Sequence, residues 1–290
     1  MKATRILHDL GQSIWLDNIT RNLLRTGVLR RYIDEFSVTG LTSNPTIFDH
    51  AIKNSGDYDD AIKSKLAEGK SGEKLFFELA LDDLAQAADL FRPIHDRTCG
   101  VDGWVSLEVS PLLAHDTNST IAVAKDLHAQ ARRPNVFIKI PGTPEGLPAI
   151  EEAIFAGVPI NVTLLFSDDQ YLAAANAFMR GIERRIEAGL KPDVPSVASI
   201  FISRWDVAVT GKVPQARSRS RSGRYWGSRA KAAMPPSYGN KAPPTASRDR
   251  CCRPFRAGPC VAISQSRADL ELITPSRSFQ DFTKDLAPSS

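Results

Sequence analysis

Through the first 213 residues, short apolar runs alternate with longer stretches in which apolar residues recur at spacings of three and four. That is the pattern of buried strands alternating with amphipathic helices. Six runs read as strands: SIWLDN (13–18), GLTSN (40–44), GWVSLEV (103–109), NVFIKIP (135–141), PINVTLLF (159–166) and PSVASIFIS (195–203). Between them ITRNLLRTGVLRRYIDEF, EKLFFELALDDLAQAADLF, TIAVAKDLHAQARR, LPAIEEAIFA and QYLAAANAFMRGIERRIEAGL read as helices, each able to cover a sheet. Alternation of this kind builds a parallel sheet. Strand centres recur roughly every 23 to 38 residues, with one longer gap between the second and third, which fits the modules of a (β/α)8 TIM barrel.

Composition changes the picture in two ways. With 42% hydrophobic and 24% charged residues in 290, and a mean hydropathy of −0.22, the chain is too apolar for bulk disorder, and it lacks an apolar run near the ~18 residues of a membrane span. The opening MKATRILHDLGQSIWLDN has no apolar leader region, so the expectation is a soluble, cytoplasmic protein. The net charge of +4 suggests a nucleic-acid partner only until the chain is divided after Val213. Residues 214–290 carry +9, nine of the 19 prolines and three of the four cysteines, whereas residues 1–213 carry −5. With the run ARSRSRSGR and no sustained periodicity, the tail reads as disordered sequence or as a GC-rich gene translated in a shifted frame. An Arg/Ser-rich RNA-binding extension is the competing reading, weakened by the lack of an interleaved aromatic platform.

Candidate chemistry begins at Lys139. A strand of a parallel sheet is buried on both faces, and an ammonium there is costly without a partner. Two readings stand side by side: a lysine whose head snorkels or pairs with a carboxylate, and an amine whose lowered pKa lets it attack a carbonyl and form a Schiff base. The other strands favour the second. Alternation places Trp15 and Asp17, Thr42 and Asn44, Ser106 and Glu108, Phe137 and Lys139, Asn161 and Thr163, and Ser199, Phe201 and Ser203 on one face. The other face holds Ile14 and Leu16, Val105 and Leu107, Ile138 and Ile140, Val162 and Leu164, and Ala198 and Ile200, as a helix-covered surface requires. Taken singly, Ser106, Ser203 and Thr42 are explained as hydrogen-bonded buried polar groups; taken jointly, the polar set points into one barrel at its C-terminal mouth. No G-x-G-x-x-G follows a strand, and GTPEGLP lacks the Lys-Ser/Thr ending of a phosphate loop, so no nucleotide cofactor is expected. Neither C-x-x-C nor H-E-x-x-H occurs, so no zinc site is expected either.

GLTSNPTIFDHAI, SLEVSP, FIKIPGTPEGLPAI, PINVTLLFS and SVASIFISRWD together resemble the transaldolases typical of actinobacteria and cyanobacteria, over about the first 210 residues. The resemblance implies a class I, Schiff-base barrel of the pentose phosphate pathway. Such an enzyme moves a dihydroxyacetone unit from a ketose phosphate (fructose 6-phosphate or sedoheptulose 7-phosphate) to an aldose phosphate, without a metal or organic cofactor and without a nucleic-acid or membrane partner. It also implies roles: Lys139 as nucleophile, Asp17 as acid/base at C4, and Glu108 with Thr163 as a proton relay through a water. Asn44 and Asn161 would hold the retained hydroxyls, Ser199 and Phe201 would line the pocket, and Arg204 would bind the phosphate. The match stops shortly after residue 213, with six of eight strands recognisable. Two alternatives follow: a remnant that carries these residues on an incomplete barrel and turns over little, or another class I aldolase.

Overall fold

The computed structural model describes residues 2–209 and 260–263. Most of the tail, and with it the expectation of disorder or a shifted frame, lies outside the described residues. After a short helix α1 (Ala3–Asp9), the chain runs β1 (Ser13–Asp17), α2 (Arg21–Arg25), α3 (Val28–Phe36), β2 (Gly40–Thr42), α4 (Pro45–Lys53), α5 (Asp59–Ala67) and α6 (Gly72–Arg97). It continues with β3 (Val105–Glu108), α7 (Thr117–Ala131), β4 (Val136–Pro141), α8 (Gly146–Phe155), β5 (Ile160–Leu165), α9 (Asp168–Glu187), β6 (Ser196–Ile200) and α10 (Ile202–Val209). All six strands read from the sequence are present, and the long gap after β2 is filled by α4, α5 and the 26-residue α6.

Four helices, α2, α4, α7 and α9, start where a side chain accepts from a free backbone donor. Ser167 caps α9 by accepting from Gln170 N at 3.2 Å, two aspartates occupy the first turn and two arginines the last, opposing the helix dipole. One expected helix is divided: residues 19–36 form α2 and α3, because Gly27 between them takes φ +74°, a left-handed conformation that glycine reaches without steric cost.

The strands form one parallel sheet in the order β6-β5-β4-β3-β2-β1-β7, where β7 is Cys260–Ile263. This last strand was not among those read from the sequence; it lies parallel to β1, Ser13 opposite Cys260 and Leu16 opposite Ile263. The sheet is curled. Adjacent strands lie about 4.8 Å apart, so β1 and β4 would be separated by about 14 Å if flat, yet the rings of Trp15 (β1) and Phe137 (β4) stack with centroids 6.1 Å apart. Trp104 stacks on Phe137 at 4.1 Å and Val197 of β6 packs against the group, which makes an aromatic floor inside the curl. Gly40 permits this floor: a Cβ there would sit 2.6 Å from Trp15 Nε1. The opposite face of the sheet, including Ile14, Leu16, Val105, Leu107, Ile138, Ile140 and Val162, is buried with the helices in the main core.

Three expectations at the C-terminal strands are corrected. Leu164 was placed on the helix-facing side, but it adopts φ +58° at a bulge in β5, and Leu165 takes the core position instead; the extra residue reverses the parity of everything after it. Ser203 was placed on the inward face of the sixth strand, but β6 ends at Ile200 and Ser203 belongs to α10. Ala198, expected to face a helix, is exposed. The turn into α10 is held by Phe201 N donating to Leu165 O (3.0 Å) and by the Trp205 indole N–H donating to Phe166 O (2.6 Å).

Candidate functional site

Lys139 lies near the C-terminal end of β4 and is 5% exposed. Register fixes its neighbours: Glu108 of β3 on one side and Asn161 of β5 on the other. Its Nζ is 3.1 Å from Glu108 Oε2 and donates to the main-chain carbonyl of Ser43 at 2.9 Å. The buried ammonium is thus met by a carboxylate and a carbonyl, which is what makes its burial tolerable. The same carboxylate stands where it could take the proton whose removal frees the amine to react.

A second set of bonds orders the wall beside the lysine. The Asn161 Nδ2 donates to Ser106 Oγ (3.1 Å), and the Ser199 hydroxyl donates to Asn161 Oδ1 (2.8 Å). Beneath the lysine's contact with Ser43, the Ser43 hydroxyl donates to the Ser106 carbonyl (2.7 Å). Thr163 is 1% exposed, two residues beyond Asn161 and opposite Pro141. On the other side of the curl, Asp17 closes β1 opposite Thr42, and Asn44 follows β2 as the cap of α4, its Oδ1 accepting from Ile47 N at 3.0 Å. With that oxygen bound and Pro45 fixing the helix start, the side chain is held in place.

Phe201 stands just past β6, its ring 5.6 Å from that of Phe166, and the Arg204 guanidinium lies 5.6 Å from the Phe201 ring centroid. Of the nine residues singled out in the sequence, Lys139 pairs with Glu108 and Asn161 with Ser199, and Ser43 and Ser106 link the two pairs. Asp17 and Asn44 stand at the C-terminal ends of the neighbouring strands β1 and β2, Thr163 near that of β5 across the sheet, and Phe201 with Arg204 past the end of β6. Sequence reasoning missed Ser43. Its carbonyl is a backbone group and leaves no trace in residue type, although its hydroxyl beside Asn44 was visible. Thr42 was expected to be a satisfied buried group; its Oγ1 is buried with no partner among the described residues.

Residues 14–232 match the family model described as Transaldolase/Fructose-6-phosphate aldolase. The chain is 47% identical to the Transaldolase of Arthrobacter sp. (strain FB24) over 207 residues, 71% of this chain and 56% of that one. It is 42% identical to the Transaldolase of Trichodesmium erythraeum (strain IMS101) over 210 residues, 72% and 55% of the two chains. Against the Transaldolase of Acidothermus cellulolyticus (strain ATCC 43068 / DSM 8971 / 11B), identity is 47% over 204 residues, 70% and 55%. The chain thus spans only 55% or 56% of the length of these relatives.

Proposed function

Because the chain belongs to the transaldolase/fructose-6-phosphate aldolase family, we propose that it carries the Schiff-base chemistry of dihydroxyacetone transfer from a ketose phosphate to an aldose phosphate, in the pentose phosphate pathway. The observation that carries this reading is Lys139, a buried amine held between Glu108 and the Ser43 carbonyl in the same row as Asn161. The neutral amine attacks C2 of fructose 6-phosphate or sedoheptulose 7-phosphate. Glu108, with Thr163, delivers the proton with which the carbinolamine hydroxyl leaves as water. Asp17 then takes the C4 hydroxyl proton, the C3–C4 bond breaks, and its electron pair passes into the iminium to give an enamine as the aldose phosphate departs.

Asn44 and Asn161 hold the hydroxyls of the three-carbon unit until an acceptor aldehyde arrives. Ser199 and Phe201 line that space, and Arg204 binds the substrate phosphate with a guanidinium suited to it. The test is borohydride trapping with fructose 6-phosphate: a dihydroxyacetone adduct is expected on the peptide containing Lys139, and labelling that persists in Lys139→Ala overturns the assignment. Addition of erythrose 4-phosphate then separates transfer from simple aldol cleavage, which releases free dihydroxyacetone.

A further inference from the structure

We infer that Ser106 is a positioning residue that sets the orientation of the Asn161 amide, and through it the choice between handing on the three-carbon unit and releasing it. The inference rests on the transfer reading above. Ser106 is fully buried on the inward face of β3. Its hydroxyl oxygen accepts from Asn161 Nδ2 at 3.1 Å, across the intervening strand β4. From the other side, the Ser199 hydroxyl donates to Asn161 Oδ1 at 2.8 Å.

An asparagine amide has two N–H donors and two acceptor lone pairs. Ser106 accepts from the amide nitrogen while Ser199 donates to the oxygen, so the two serines grip the amide from both ends and hold its plane. One N–H and one lone pair are left, in fixed directions. The carbonyl of Ser106 meanwhile accepts from the Ser43 hydroxyl, and Ser43 presents its own carbonyl to Lys139. One buried serine therefore braces both the amide beside the reactive amine and the peptide that receives that amine. An enamine whose hydroxyl is gripped by a fixed amide stays for the acceptor; one facing a rotating amide is protonated and lost as free dihydroxyacetone.

The experiment uses the full chain with 15N-asparagine, the Asn161 side-chain signals being assigned by their loss in Asn161→Asp. In the parent the Asn161 amide protons exchange slowly. In Ser106→Ala they exchange roughly fivefold faster or more, as loss of one hydrogen bond implies, and dihydroxyacetone release rises relative to transfer. Two further variants separate positioning from packing. Ser106→Thr keeps the hydroxyl and restores the parent behaviour, whereas Ser106→Cys keeps the volume but offers a weak acceptor and behaves like Ser106→Ala. Parent-like exchange in the alanine and cysteine variants, or an Asn161 amide that exchanges in the parent as fast as exposed asparagines do, overturns the inference. Absence of a borohydride adduct on Lys139 in the parent, with the exchange pattern as expected, instead removes the transfer reading and leaves the bracing of Asn161 intact.

Discussion

Asp83 of α6 is fully buried, and both its oxygens are engaged outside the barrel: Arg21 Nε donates to Oδ1 at 2.9 Å and the Tyr58 hydroxyl donates to Oδ2 at 2.7 Å. Arg21 also stacks over the Tyr58 ring at 4.4 Å, and its backbone N–H donates to the Tyr58 hydroxyl. Since Arg21 opens α2 four residues after Asp17, this group ties the corner leaving β1 to the 26-residue α6. Burial pushes the Asp83 carboxyl above its ordinary value, against the pull of Tyr58 and Arg21 downward. The ionised pair is therefore not a large net gain over an apolar one. Asp83→Ala nonetheless strands the remaining partners. Breaking a buried pair from one side costs about 3–5 kcal/mol, and the Tyr58 hydroxyl contributes about 1.5–3 kcal/mol of that as a hydrogen bond to a charged group. Because the Arg21 side chain is 12% exposed and can turn toward water, we expect the lower end, about 3 kcal/mol. Replacing both groups, Arg21→Met with Asp83→Leu, should cost less than Asp83→Ala alone, because no charge is left buried. Urea unfolding at neutral pH, followed by far-UV circular dichroism on the parent, Asp83→Ala and the double variant, measures this. A loss under about 1 kcal/mol in Asp83→Ala, or a double variant as weak as the single one, refutes the reasoning.

Three further outcomes are expected. Burial, reinforced by the charge of Asp83, pushes the Tyr58 phenol above the ordinary tyrosine range. The folded state then holds that proton more tightly than the unfolded chain, so the stability it contributes is complete below about pH 10 and declines as pH rises beyond it; the decline should be shallower in Tyr58→Phe. Gly40→Ala drives a methyl into the Trp15 indole, which is stacked on Phe137 and has little room to move, and should cost about 1–3 kcal/mol by thermal unfolding, with a change in tryptophan fluorescence. Asp17→Ala should still be trapped on Lys139 while turnover falls by about 10²-fold or more; unchanged turnover removes Asp17 from bond cleavage.

The sequence made the face of each strand legible wherever the strand was regular. Lys139 stood out because a charge in NVFIKIP has to be compensated, and its compensation by Glu108 follows from two strands pairing in register. Periodicity says nothing about a residue that steps out of it, so the left-handed Leu164, a residue type with no preference for that conformation, inverted the expected sides at the end of β5. Gly27 was a readable signal for dividing the first helix, and the run of apolar residues on either side outweighed it. The CVAI strand was hidden by its surroundings: four residues within an Arg- and Pro-rich tail hold too short a pattern to be told from chance. Ser43 acts on Lys139 through its backbone, and only the fold can bring a carbonyl to an amine 96 positions away.

The strand order has a consequence for how the chain is made. From β1 to β6 every strand lies beside its predecessor, so a nascent polypeptide leaving the ribosome can add each new strand to an edge that already exists. At about 5–20 residues per second, the stretch from Asp17 to Arg204 takes about 10 to 40 seconds to emerge. During that time no segment between β1 and β6 has to wait for a distant partner. Among the described strands only the pairing of β7 with β1 reaches back across the whole sheet, so of these the first strand synthesised is the last to have both its edges covered. In the growing chain the free edge of β1 is the stretch on which chaperones have longest to act.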